Sequence, residues 1–226
     1  MTDGLKWIGQ HTFEPPTRGG MRGGIALTAI RGIPVDELLL RLKARPDEIS
    51  DPVAYRDLSM SADVSHLTPC MYGTSGDWAY VLEHADSCTW YEWWFEDESA
   101  VAPGIGEELV CIHPNVSVNP SKLVYSPGDS TVHLIDFGDP LLQGDEQDTT
   151  GRLAVLNEGL VSAGAVPPGW PGNGSVPQWR AQLDAEQGGL HGLVWQTVGE
   201  ILGINVPRAD VEQGRLPVAL LEGPYA

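Results

Sequence analysis

The stretch Lys122-Leu-Val-Tyr-Ser-Pro-Gly-Asp-Ser-Thr-Val-His-Leu-Ile-Asp-Phe137 decides the fold class. Its two halves, Lys122 to Ser126 and Thr131 to Phe137, read as strands, and Pro127-Gly128-Asp129-Ser130 between them has the turn chemistry of a hairpin. Upstream, Glu107 to His113 reads as a strand ended by Pro114, and Asp77 to His84 as another. Residues 24–31, Gly-Ile-Ala-Leu-Thr-Ala-Ile-Arg, alternate moderately and predict a first strand, turned by Gly32 and Ile33. Strands therefore run consecutively through the middle of the chain.

Helical periodicity flanks that run. Val35, Leu38, Leu39 and Leu42 form one apolar stripe, predicting a helix from about Pro34 to Ala44. Pro34 suits its first position, Asp36 and Glu37 its positive end, and Arg41, Lys43 and Arg45 its negative end, with Pro46 as the stop. A second helix is expected over 150–163 on Leu153, Leu156 and Leu160, and a shorter one over 178–186. Leu190, Leu193, Val194, Thr197, Val198 and Ile201 predict a further helix, capped by Gly203 and stopped by Pro207. Residues 47–76 show no clear period. Strands in a block with helices on either side predict an α+β fold with a mostly antiparallel sheet, not alternating β-α-β units.

A chain of 226 residues with 42% hydrophobic side chains is one domain with extensions, long enough to bury a core without a metal or disulfide staple. The expected division is a flexible, Gly/Pro-rich N-terminal arm over 1–23, a single α+β domain over 24–203 and a C-terminal extension over 204–226. Cys70, Cys88 and Cys111 are odd in number and contain no C-x-x-C pair, which argues against a disulfide framework and for a reducing cytoplasm. The N-terminus lacks a signal-peptide pattern, and no apolar run has the length of a membrane span.

Charge is unevenly placed. Residues 1–46 carry seven basic and four acidic side chains, residues 47–148 carry two and twenty, and residues 149–226 carry four and seven, for a net charge of −18. That balance disfavours nucleic acid and anionic membranes, which need clustered cations. It leaves two readings of the middle segment: a solvated acidic surface, or an electrostatic lure for a basic partner.

Residues 88–98, Cys-Thr-Trp-Tyr-Glu-Trp-Trp-Phe-Glu-Asp-Glu, lie inside this segment. As a helix they place Trp90, Trp93 and Trp94 on one face. As a strand they place Trp90, Glu92, Trp94 and Glu96 on one face and Tyr91, Trp93 and Phe95 on the other. Both readings stay open at this level. Large rings ringed by carboxylates suit a protein-contact hot spot as well as a core.

The segment Ile30-Arg-Gly-Ile-Pro-Val-Asp-Glu-Leu-Leu-Leu-Arg-Leu42 resembles the strand-turn-helix opening of an actinobacterial domain-of-unknown-function family. Asp77-Trp-Ala-Tyr-Val-Leu-Glu83 resembles that family's Trp-bearing strand, and Leu123 to Asp129 matches its later hairpin in part. The likeness would span about residues 24–203. It implies a fold and no activity. The 90–94 tryptophans and the long tail depart from it.

Chemistry-bearing residues are few. Cys111, His113 and His133 could share a sheet face and offer a zinc set or a Cys–His pair, against the alternative of surface or satisfied histidines. Arg18-Gly-Gly-Met-Arg-Gly-Gly24 is glycine-rich and basic but lacks the phosphate-loop signature. No cofactor and no metal is expected. The leading expectation is a non-enzymatic, immunity- or inhibitor-like protein that holds a basic protein partner with Trp90, Glu92, Trp93, Trp94, Glu96, Asp97 and Glu98. One alternative is a saccharide or small-molecule enzyme with a pocket of Trp90, Trp94, Glu92 and His133. The other is a structural subunit whose two termini dock on a neighbouring chain.

Overall fold

The computed structural model describes residues 3–15, 17, 19–58, 66–84, 87–115, 120–142, 148–167, 179, 183 and 189–224. Among these, seven strands form one sheet: β1 Ile25–Arg31, β2 Thr68–Ser75, β3 Trp78–His84, β4 Glu108–His113, β5 Lys122–Ser126, β6 His133–Asp136 and β7 Val218–Leu221. Their order is β6-β5-β4-β1-β3-β2-β7, and every neighbouring pair is antiparallel. The fold is α+β. No helix among the described residues is long and apolar enough to cross a membrane.

Helices cover both faces. One face, carrying Leu27, Ala29, Tyr80, Val110 and Tyr125, packs against α1 Lys6–Gln10, α6 Arg152–Ser162, α7 Gly189–Leu202 and α8 Arg208–Glu212. The other, carrying Ala26, Ile30, Val81, Cys111 and Val124, packs against α2 Val35–Arg41, α4 Thr89–Glu96 and α5 Glu98–Val101. A short α3 Pro46–Ser50 follows α2. Central β1 is buried on both faces along Ile25–Ile30, so the moderate alternation of its sequence does not divide a buried face from an exposed one. The two edge strands, β6 and β7, have only four residues each, a length that limits edge-to-edge pairing.

The hairpin forms as the sequence predicts. Lys122 pairs with Asp136 and Tyr125 with His133, and Asp129 accepts hydrogen bonds from the amide and hydroxyl of Thr131 at the turn. The helices over 152–162 and 189–202 match their stripes, and Gly203 takes the left-handed conformation that ends α7 (φ +71°). The helix expected over 178–186 falls almost wholly outside the described residues.

Several expectations are corrected. Pro34 precedes α2 as its extended N-cap and is not in the first helical position. The helix ends where Lys43 turns left-handed, so Pro46 starts α3 and does not stop α2. Pro207 likewise caps the start of α8. Residues 47–76 contain β2, which Pro69 and Gly73 conceal from a periodicity reading.

Among the described residues, both terminal segments pack on the domain. Leu5, Trp7 and Ile8 are buried against α7. Gly9 permits the close approach: a Cβ there would lie 2.5 Å from the carbonyl oxygen of His191 and 2.7 Å from the Trp195 ring. Met21 donates its amide to Val211, and Gly24 to Thr12. At the other end, Thr68–Met71 of β2 pairs with β7 in register from Leu221 to Val218. The described parts of both termini thus pack on their own domain, because each carries apolar side chains that the two layers bury.

Candidate functional site

The aromatic segment folds as a helix. Trp90, Trp93 and Trp94 stand at i, i+3 and i+4, the spacing that brings side chains together on one helix face. Cys88 supplies no side-chain cap. The cap comes instead from β3. The Glu83 carboxylate, fully buried, accepts from the Thr89 amide at 3.1 and 3.2 Å and from the Thr89 hydroxyl at 2.6 Å. A carboxylate at a helix N-terminus is favoured by the unpaired amides and the helix dipole. Burial nonetheless raises the Glu83 carboxyl to about 7, against the Thr89 hydrogen bonds that favour its anion and with a further push from the charge of Glu92.

α4 is graded from core to solvent. Trp90 is buried, donates its indole N–H to the Val101 carbonyl at 3.0 Å and stacks on half-buried Trp94 at 5.3 Å. Tyr91 stacks on His113 at 5.1 Å and meets Phe95 edge-on at 4.9 Å. Trp93 donates its indole N–H to Glu222 at 3.0 Å and carries the Lys43 ammonium 5.6 Å above its ring. Phe95 is 59% exposed, and Glu96, Asp97 and Glu98 follow it into solvent. The seven residues singled out in the sequence are therefore contiguous but not equivalent. Trp90 is a core anchor, Glu92, Trp93 and Trp94 form a half-buried shoulder, and Glu96 to Glu98 form an exposed rim.

Beneath α4 lies a small polar cluster. Cys88 and Cys111 bring their sulfurs to 3.5 Å, Thr28 donates its hydroxyl to Cys111 at 3.8 Å, and the His113 side chain hydrogen-bonds with Cys88. The bond to Cys111 and burial hold the Cys88 thiol well above its ordinary pKa, so it is a neutral thiol.

His133 does not join it, and this corrects the zinc-set expectation. Cys111 pairs with Val124, which pairs with Leu134, whereas Val110 pairs with Tyr125, which pairs with His133. His133 is thus on the opposite sheet face from Cys111 and His113, and from Trp90, Trp94 and Glu92 of α4. Among the described residues, no three His, Cys, Asp or Glu side chains are arranged to hold a metal ion.

Two polar arrangements escape sequence reasoning. Glu108 is buried and neutralised by Arg31 and by Arg152, at 3.0 Å for the latter, while Tyr125 donates its hydroxyl to the other carboxylate oxygen. Arg31 also lies 5.2 Å over the Trp78 ring. Ser121, itself buried, has its hydroxyl 2.8 Å from the His191 imidazole and accepts the Asn115 amide at 3.0 Å. The Arg31–Glu108, Arg152–Glu108 and Ser121–His191 pairs are 44 to 77 residues apart in the chain, so no spacing announces them. A cleft of about 380 Å³ lies elsewhere, between the N-terminal segment and the end of α7, lined by Asp3, Lys6, Gln196, Glu200 and Asn205 among others. None of the residues predicted from sequence lines it.

Comparison with protein-family models, with curated proteins and with solved structures finds no match to this chain.

Proposed function

We propose that the chain is a non-enzymatic acidic interaction protein that holds a basic protein partner on the surface of α4 and α5, in the manner of an immunity protein or inhibitor. The observation that carries this reading is Phe95: a large ring, 59% exposed, immediately followed by three exposed carboxylates and braced from behind by Tyr91. An apolar anchor with a charged rim is the arrangement of a binding hot spot. The surrounding layer supports it. Asp36, Glu92, Asp97 and Glu98 form none of the ion pairs of the described residues. The cations at the end of α2 and just after it are already engaged, Arg41 by Glu37 and Glu107, Lys43 by Trp93 and Arg45 by Asp47. The face thus presents net negative charge, and the Lys43–Trp93 contact is an internal instance of the cation recognition it would offer a partner. In this reading the protein works in the cytoplasm, whose reducing poise matches three cysteines that rest as thiols.

The test is affinity capture with the full chain, identification of the retained proteins, and titration of binding against salt. The expected partner is basic, its affinity falls as ionic strength rises, and Phe95→Ala weakens it by roughly tenfold. Retained proteins that are neutral or acidic, or binding indifferent to both salt and Phe95→Ala, would remove the proposal.

A further inference from the structure

Cys88 and Cys111 are separated by 22 residues in sequence but meet beneath α4, with both side chains buried and their sulfurs 3.5 Å apart. A disulfide needs roughly 2.05 Å between sulfurs, so closure asks for a movement of about 1.5 Å. The two ends of the contact differ in how easily they move. Cys111 sits in β4, paired on both sides, with Thr28 of β1 and Val124 of β5. Cys88 sits outside regular structure, at the junction between β3 and α4, with a backbone that is neither helical nor fully extended (φ −143°, ψ 83°). Among the described residues its amide makes no ladder bond, and its carbonyl starts α4 by accepting from Glu92 at 3.0 Å. A rotation at Cys88 can therefore bring the sulfurs together without breaking the sheet. The remaining cysteine, Cys70, is on β2, on the far side of β3 and β1 from Cys111.

We infer that Cys88 and Cys111 are a reversible thiol-oxidation site, closing to an intramolecular disulfide when the protein meets a peroxide. In the balanced step the two S–H bonds and the O–O bond break, one S–S bond and two water molecules form, and the sulfurs together lose two electrons to the peroxide. A dithiol reductant reverses it. The buried pair is neutral and inert while α4 is closed; opening of its first turn, held by the Glu83–Thr89 hydrogen bonds, exposes Cys88 to water, where its thiol can ionise, and admits the oxidant. The bridge ties the start of α4 to the middle of the sheet. The inference is independent of the partner proposed for α4, since it concerns the buried end of that helix and needs no ligand.

The experiment counts thiols in the purified full chain with and without hydrogen peroxide, by alkylation under denaturing conditions and intact mass. The reduced chain takes three alkyl groups, one for each free cysteine. After peroxide the expected product has lost two hydrogens, takes a single alkyl group, on Cys70, and returns to three after dithiothreitol. Cys88→Ser and Cys111→Ser each keep two alkylatable thiols and form no internal bridge; because the wild-type count stands alone, a poorly folded variant does not spoil the test. Three thiols surviving peroxide, a bridge that includes Cys70, or conversion of Cys88 or Cys111 to a sulfinic acid without a bridge would each overturn the inference.

Discussion

The Glu83 carboxylate of β3 caps α4 through Thr89, taking both its amide and its hydroxyl while fully buried. The helix that bears the candidate binding surface is therefore oriented by a strand side chain and not by its own flanking residue. The relationship has a cost, because burial favours the protonated acid over the anion.

That cost predicts a pH dependence. In the unfolded chain Glu83 titrates near its ordinary value of 4.5, and in the folded chain near 7. Between the two the folded protein keeps a proton that the unfolded chain has lost. Its contribution is thus fully present below about pH 4.5 and is lost as the pH rises towards 7, a change on the order of 3 kcal/mol. Urea unfolding from about pH 5 to about pH 8 should show falling stability, and Glu83→Gln, which keeps an acceptor for Thr89 and removes the charge, should flatten that slope. A flat wild-type profile would contradict the account.

Glu108 predicts a large, asymmetric pair of effects. Its side chain is 2% exposed, against 34% for Arg31 and 50% for Arg152. Glu108→Ala strands two guanidinium groups and the Tyr125 hydroxyl, and should cost about 3–5 kcal/mol. Arg152→Ala removes one half-exposed partner while Arg31 remains, and should cost about 1 kcal/mol or less. Chemical denaturation of the two variants side by side checks the ratio, and equal losses would be inconsistent with a buried carboxylate at the centre.

The N-terminal segment should behave as part of the core. Trp7 is 3% exposed, and the Arg208 guanidinium lies 5.8 Å from its ring. Trp7→Ala should destabilise the fold by about 3–5 kcal/mol. Gly9→Ala should destabilise it as well, by forcing α1 off the backbone of α7. Thermal unfolding reads both; a neutral outcome for Trp7→Ala would restore the loose-arm expectation.

The α4 rim should separate binding from stability. Phe95→Ala and Glu98→Lys alter exposed side chains, so each should leave stability within about 0.5 kcal/mol of wild type. Trp90→Ala, in contrast, removes a buried ring and should cost about 3–5 kcal/mol. Unfolding midpoints of the three variants, set beside partner capture, distinguish a contact surface from an ordinary part of the core.

Element identity was largely legible in the chain because it depends on short-range periodicity. Leu153, Leu156 and Leu160 announce α6, and Pro127 to Ser130 announces the hairpin. The 88–98 segment was undecided, since alternate rings and carboxylates satisfy both periods. What decides it is Glu83, which caps the helix, and the stack of Trp90 on Trp94. β2 was hidden because Pro69 and Gly73 are poor strand residues whose places are set by β7 and by the Tyr80 hydroxyl, 2.6 Å from where a Cβ on Gly73 would lie.

By itself the sequence determined the α+β class, the strand block, the amphipathic helices and the acidic middle segment, all of which follow from composition and from spacing within a few residues. Only the tertiary structure decided that Cys111 faces Cys88 and not His133, that Glu108 collects Arg31 and Arg152, and that Trp7 and Val218–Leu221 complete the core. Each of these rests on strand register and on which layer covers which face. A slip of one residue in register would exchange every side chain between the two faces, and no local pattern in the chain encodes that choice across 44 or 77 residues.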